Sequence, residues 1–154
     1  MIDALHIRPR RRLLATLMVG AVALIGALGA CTPMQVFPAL ESLAGPPWTL
    51  AAWQSGEPVG EGIEISLVYL DGRLVGRAGC NRYVMPVTDG YSPGRIIPGK
   101  AVLTRMACTE QAMVAEARFV ERLARVDRFE LRAGVLQLID PAGGAKGALV
   151  FARR

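Results

Sequence analysis

The chain has 154 residues, 52% of them hydrophobic, with 18 Lys+Arg against 13 Asp+Glu (net +5), three cysteines and one histidine. Arg8, Arg10, Arg11, Arg12 and Asp3 all precede residue 31, so the remainder carries 14 basic and 12 acidic side chains, only +2, and its charge is no argument for a nucleic-acid partner. His6 also lies in that leading segment, so a chain cut before Cys31 has no imidazole for a serine nucleophile or a histidine-based zinc site.

The leading segment reads in three zones. A basic stretch, Arg8 to Arg12, precedes the uncharged run Leu13–Ala30, and small residues, Gly29 and Ala30, lead into Cys31. That order describes a secretory signal peptide over residues 1–30 rather than part of a fold. Leu28-Gly29-Ala30-Cys31 resembles the bacterial lipobox, in which cleavage falls just before a cysteine that is then lipid-modified. The alternative is an uncleaved membrane helix with an incidental cysteine at its end; eighteen residues would span about 27 Å, marginal for a bilayer core. With lipidation at Cys31 the expected partner is a membrane, and more than one acyl chain makes such an anchor stable. Thr32 after the cysteine resembles outer-membrane sorting, which places the expected protein in the cell envelope, on the periplasmic face of the outer membrane.

From Cys31 to Arg154 there is enough chain for one small domain with its own core. Residues 31–42 read as a tether and 43–154 as the domain. An oxidising compartment leaves Cys80 and Cys108 as an even pair, for which a disulfide is the default.

Trp48–Trp53 reads as a first strand, followed by a polar, Gly/Pro-rich loop over 54–62. Ile63–Leu70 alternates, with Ile63, Ile65, Leu67 and Tyr69 on one face. Asp71-Gly72 then predicts a tight hairpin, since a type I′ turn needs positive φ twice, with extended chain resuming over 73–78. Tyr83–Leu103 is interrupted by Asp89-Gly90, Ser92-Pro93-Gly94 and Pro98-Gly99, and predicts two short strands. Glu110–Arg125 predicts a helix capped by Thr109, with an apolar stripe of Met113, Ala117, Val120 and Ala124 widened by Phe119 and Leu123. Phe129–Ile139 and Ala148–Ala152 read as strands around a Pro141–Gly147 turn.

The most specific internal strings are Gly79-Cys80-Asn81-Arg82-Tyr83 and Thr104-Arg105-Met106-Ala107-Cys108. With Leu43-x-Gly45-x-x-Trp48-x-Leu50, Asp71-Gly72-Arg73-Leu74-x-Gly76, Glu116-x-x-Phe119-x-x-x-Leu123 and Leu136-x-Leu138, in that order, the chain resembles the META/HslJ-like family of small bacterial envelope domains. Val84-Met85-Pro86 departs from the family, which has Gly or Ser there. The resemblance implies an α+β, mainly β fold: a strongly curved antiparallel sheet, partly barrel-like, with one packed helix. It implies no established catalytic activity, no cofactor and no agreed ligand, and an association with heat or envelope stress.

Redox activity or metal binding at Cys80 and Cys108 lacks a Cys-x-x-Cys spacing, a histidine, and any cationic neighbours beyond Arg82 and Arg105. Arg118, Arg122 and Arg125, with Arg128 and Arg132 beyond, read as a solvated helix face partly paired through Glu121 to Arg125, rather than as a lipid-binding surface. Glu57, Glu64 and Asp71 specify no acid–base pair, and Trp48, Trp53 and Tyr69 read as core rather than a carbohydrate platform. The expected function is a non-catalytic, lipid-anchored envelope protein serving envelope or heat-stress tolerance, its protein partner or ligand unknown. The alternatives are a periplasmic ligand-binding or inhibitor module using an open end of the sheet, and a thiol–disulfide redox protein.

Overall fold

Nine strands, one α-helix and two 3₁₀ segments make up the computed structural model, which describes residues 39–53, 56–146 and 148–153. The expected signal peptide, the lipidation site at Cys31 and the first part of the expected tether lie outside the described residues. The strands are β1 (Trp48–Trp53), β2 (Ser66–Leu70), β3 (Arg73–Arg77), β4 (Arg82–Asp89), β5 (Ile96–Pro98), β6 (Val102–Leu103), β7 (Arg128–Arg132), β8 (Val135–Ile139) and β9 (Ala148–Arg153); the helix α1 is Glu110–Leu123.

All strand pairs are antiparallel, in the order β5-β4-β3-β2-β1-β9-β8-β7, with β6 also on β4. The two ends of this path meet. Arg95 bridges Arg128, Ile96 N–H donates to the Asp127 carbonyl (2.9 Å) and Phe129 N–H to that of Gly94 (2.8 Å). The sheet is therefore a nearly closed barrel with one packed helix, in agreement with the expected fold class. A register shift between Leu50 and Ala52 on β1 adds curvature where β1 faces β9.

Local chemistry explains the turns. Asp71 and Gly72 take φ of 47° and 72°, as the Asp-Gly signal requires. A second such hairpin, at Ala133 (48°) and Gly134 (78°), divides what reads in sequence as one extended stretch, Phe129–Ile139, into β7 and β8. Gly134 suits the second turn position, but alanine carries no preference for positive φ at the first, so the pair is a weaker signal than Asp71-Gly72.

The 83–103 region also differs from expectation: it holds three strands, not two, and the first is eight residues long. β4 alternates strictly, with Tyr83, Met85 and Val87 inward. Pro86 sits inside it, at the point where the neighbour of β4 changes from β6 (Tyr83, Val84) to β5 (Val87–Asp89), a place that tolerates a missing N–H.

The helix has the predicted start. Thr109 Oγ1 accepts from Ala112 N–H at 3.3 Å, and Glu110 occupies the positive end of the helix dipole. The phase of its buried face is rotated from the expected stripe. Ala115, Phe119 and Leu123 are buried, Val120 is half-buried, and Met113, Ala117 and Ala124 are exposed. Apolar residues surround this helix, so spacing sets the period but not the side that packs.

Side chains fill the barrel. Phe119 lies edge-on to Tyr83 (5.3 Å) and Phe151 (6.4 Å), within a core that includes Trp48, Trp53, Phe129, Leu67, Leu74 and Leu136. The helix packs near the end where Trp53 and the β3–β4 connection lie. At the other end a 3₁₀ segment, Leu40–Leu43, buries both of its leucines completely. Leu43 O accepts from Trp48 Nε1 (3.0 Å) and Arg153 Nη2 (3.2 Å), and Leu40 N–H donates to Asp89 Oδ1 (3.3 Å). The described core thus begins at Leu40.

Candidate functional site

The two motif strings meet at the helix. After β3 the chain turns through Gly79 at φ 98°, so close to α1 that a Cβ there would lie 3.1 Å from the Ala112 carbonyl oxygen. The turn is held from below by Gly79 N–H on the Glu64 carbonyl (3.0 Å) and Ala78 N–H on that of Asn81 (2.8 Å). Cys80 and Cys108 are joined as a disulfide, their Cα atoms 5.8 Å apart, linking the turn to the residue before the helix cap.

Asn81, 5% exposed, is the hub. Its backbone N–H donates to Glu116 Oε2 at 2.6 Å and its Nδ2 to Glu116 Oε1 at 3.1 Å. Its Oδ1 accepts from Met106 N–H and from Thr104 Oγ1, both at 2.7 Å. Thr104 Oγ1 in turn accepts from Arg82 N–H at 3.1 Å. One asparagine thereby fastens three segments that the sequence keeps apart: the β3–β4 connection, the approach to the helix, and the helix itself. An amide suits this role because it offers donor and acceptor on one small group.

The remaining motif residues divide by exposure. Tyr83 is buried beneath the clasp, donating from its hydroxyl to the Ser66 carbonyl at 3.1 Å, and burial pushes its phenol far above the usual range, so it stays neutral. Arg82 points outward, and Thr104, Arg105, Met106, Ala107 and Cys108 form an exposed segment. Among the described residues no buried side-chain polar atom lacks a partner, and no three His, Cys, Asp or Glu gather as metal ligands would.

Glu116 is the participant that sequence reasoning left without a role; its only signal was its place in the helix motif. Two other contacts were also missed. Arg118 makes a bidentate pair with Glu57 (2.9 and 2.7 Å) while its guanidinium lies 4.3 Å from the Trp53 ring centre, and that of Arg122 lies 5.7 Å away. Arg125 Nε donates to the buried Asp140 at 2.8 Å and its Nη1 to Glu121 at 2.6 Å. The Glu121–Arg125 pair matches expectation, but the arginine face is packed on an indole and tied to two loops as well as solvated.

Two surface grooves flank the loop over 57–64. One, of about 790 Å³, lies against the outer side of β1 at Thr49 and Ala51; the other, of about 600 Å³, separates the loop from α1 at Val114 and Arg118. Both grooves lie on the outside of the barrel, beside the core formed by Trp53, Phe119 and Phe151.

The META-domain sequence profile matches residues 41–154. An NMR structure of a protein 22% identical to this one superposes with a TM-score of 0.57, the alignment covering 75% of this chain and 95% of that chain. An NMR structure of a protein from Burkholderia xenovorans, 25% identical, superposes with a TM-score of 0.56 and coverage of 75% and 86%. No curated protein matches the sequence. The clasp residues and the nearly closed barrel fall within the matched span, and the chain belongs to the META-domain family, an envelope-associated family that is not a known enzyme family.

Proposed function

We propose that this is a non-catalytic envelope protein, anchored through acyl chains on Cys31 to the periplasmic face of the outer membrane, that serves envelope or heat-stress tolerance. The observation that supports a structural rather than reactive role is the clasp: the donors and acceptors of Asn81 are directed to Glu116, Thr104 and Met106 of the chain itself. With the Cys80–Cys108 bond, it fastens a small domain in a way suited to an oxidising compartment exposed to heat. The sequence before Cys31 supports export and anchoring.

Mass spectrometry of membrane fractions tests the anchor, expecting a chain that begins at a lipidated Cys31; an intact Met1 terminus refutes it. Survival after heat shock tests the role: a deletion strain rescued by the wild-type chain but not by Cys31→Ala supports anchored action, and a deletion without phenotype removes the stress reading.

A binding or inhibitor module is the second reading, favoured by the grooves beside the 57–64 loop rather than by an open barrel end. A thiol–disulfide activity is tested by titration with mild reductant: a bond that resists it, and whose loss lowers only the melting temperature, excludes redox turnover.

A further inference from the structure

The outer face of the wall formed by β2, β3, β4 and β6 carries side chains in three cross-strand rows. In the central row Val68 pairs with Val75, Val75 with Val84, and Val84 with Val102, four valines in register. Their exposure rises across the row, reaching 43% at Val84 and 68% at Val102. One row to the side, Arg77 pairs with Arg82; on the other side, Arg73 pairs with both Leu70 and Pro86, next to the exposed Lys100. An aliphatic stripe therefore runs between the Arg77–Arg82 pair on one side and Arg73, set between Leu70 and Pro86, on the other, each about 7 Å from it.

Leu70 and Ile97, both half-exposed, extend the apolar surface on the same wall. Among the described residues, Arg73, Arg82 and Lys100 have no carboxylate partner, and Arg77 has only Glu64 at 3.9 Å. The acids Glu41, Asp89 and Asp71 gather around Tyr69 at the barrel end where the chain enters, next to the Leu70–Arg73 pair and off the valine row itself. Unpaired cations beside exposed aliphatic side chains match a surface that is anionic at its face and apolar just beneath.

We propose that this valine stripe and its arginine rows dock the domain flat on an anionic phospholipid bilayer. Two features favour a bilayer over a second copy of the chain. A two-fold pairing of this face would set like-charged rows against each other. The chain also enters the domain beside this wall, where Leu40 N–H bonds Asp89 at the end of β4, and the eight residue steps from Cys31 to Ala39 reach at most about 28 Å. The docking goes beyond the anchor proposed above and leans on it only for proximity.

The test uses the full-length chain with a reporter tryptophan, Val102→Trp on the stripe or Met113→Trp on the exposed side of α1. Vesicles contain phosphatidylcholine alone or mixed with phosphatidylglycerol, with brominated acyl chains as quencher. The tryptophan at position 102 is expected to shift to the blue and be quenched on the anionic vesicles, while the one at 113 is not. In a Cys31→Ser background, which removes any acyl anchor, Arg73→Gln with Arg82→Gln should raise the vesicle concentration for half-quenching by on the order of 30-fold. The melting temperature should stay unchanged.

A chain that floats with the vesicles yet shows equal quenching at both positions, or none at 102, overturns the docking and leaves the anchor standing. Flotation that requires anionic lipid, survives Cys31→Ser and weakens with Arg73→Gln and Arg82→Gln supports the docking by itself. No flotation with either lipid overturns the docking, while the anchor is judged separately by the mass of the mature N-terminus. A blue shift that depends on protein concentration and not on lipid assigns the stripe to a second copy and overturns it.

Discussion

Asn81 and Glu116 are 35 residues apart in sequence, and in the fold the asparagine donates to both carboxylate oxygens of the glutamate, from its backbone at 2.6 Å and its side chain at 3.1 Å. A carboxylate that receives two such bonds in a partly buried site contributes more than a neutral pair. Asn81→Ala should cost about 3 kcal/mol, because it also strands the Met106 N–H and leaves Glu116 with one donor. Glu116→Gln keeps the shape and one acceptor, and should cost about 1–2 kcal/mol. Chemical denaturation of both variants checks the order; a Glu116→Gln variant as stable as wild type would mean that charge is irrelevant to the clasp.

Reduction of the Cys80–Cys108 bond removes a cross-link over 28 residues. The chain-entropy estimate for such a loop is about 3.5 kcal/mol. Cys80→Ser with Cys108→Ser should therefore lower the melting temperature by well over 10 °C while leaving far-UV dichroism native at 20 °C. Loss of folded signal at 20 °C would show that the clasp cannot hold the turn without the bond.

Acid sensitivity should trace to Asp140. Burial alone would raise its carboxyl, but the bonds from Arg125 and Ala142 N–H, with the guanidinium charge, outweigh burial and hold it below the usual aspartate value of about 3.9. A depressed folded-state pKa means stability that is fully present above the unfolded value and lost as pH falls through the folded one. Asp140→Asn should be less stable than wild type at pH 7 by about 2 kcal/mol, and the gap should narrow progressively as pH falls below the unfolded aspartate value. A gap that persists unchanged into acid would assign the cost to packing instead.

Two glycines of similar appearance should behave differently. At Gly76 a Cβ would meet Ser66 O at 2.0 Å and Ser66 C at 2.7 Å, a backbone clash that no side-chain movement relieves. Gly76→Ala should cost about 3 kcal/mol or more. At Gly134 nothing lies within 4 Å, and only the φ of 78° opposes a side chain, so Gly134→Ala should cost about 1 kcal/mol. Thermal melts of the two variants separate the cases.

Features that depend on neighbours in the chain were legible beforehand. Asp71-Gly72 announced its hairpin, Thr109 its cap, and the Gly/Pro-rich stretch after Trp53 its loop, since each is settled within a few bonds. The motif strings around Cys80 and Cys108 marked where the candidate site would be. What they would bond to was not legible. Glu116 is one of 13 acidic residues, and nothing in its surroundings tells the clasp partner from a solvated helix carboxylate. Pro86, part of the stretch that departs from the family pattern, sits within β4 where the change of neighbour from β6 to β5 makes room for it.

By itself, then, the sequence determined the order of most elements and the family resemblance. Periodicity, turn chemistry and short motifs are local properties, and local interactions suffice to set them. Only the tertiary structure decided which face of α1 packs, where the barrel closes between Arg95 and Arg128, and that Asn81 reaches Glu116. These depend on how curvature accumulated over nine strands brings distant residues together. The outer valine row has the same origin: four valines spread from 68 to 102 form one stripe only when four strands fall into register.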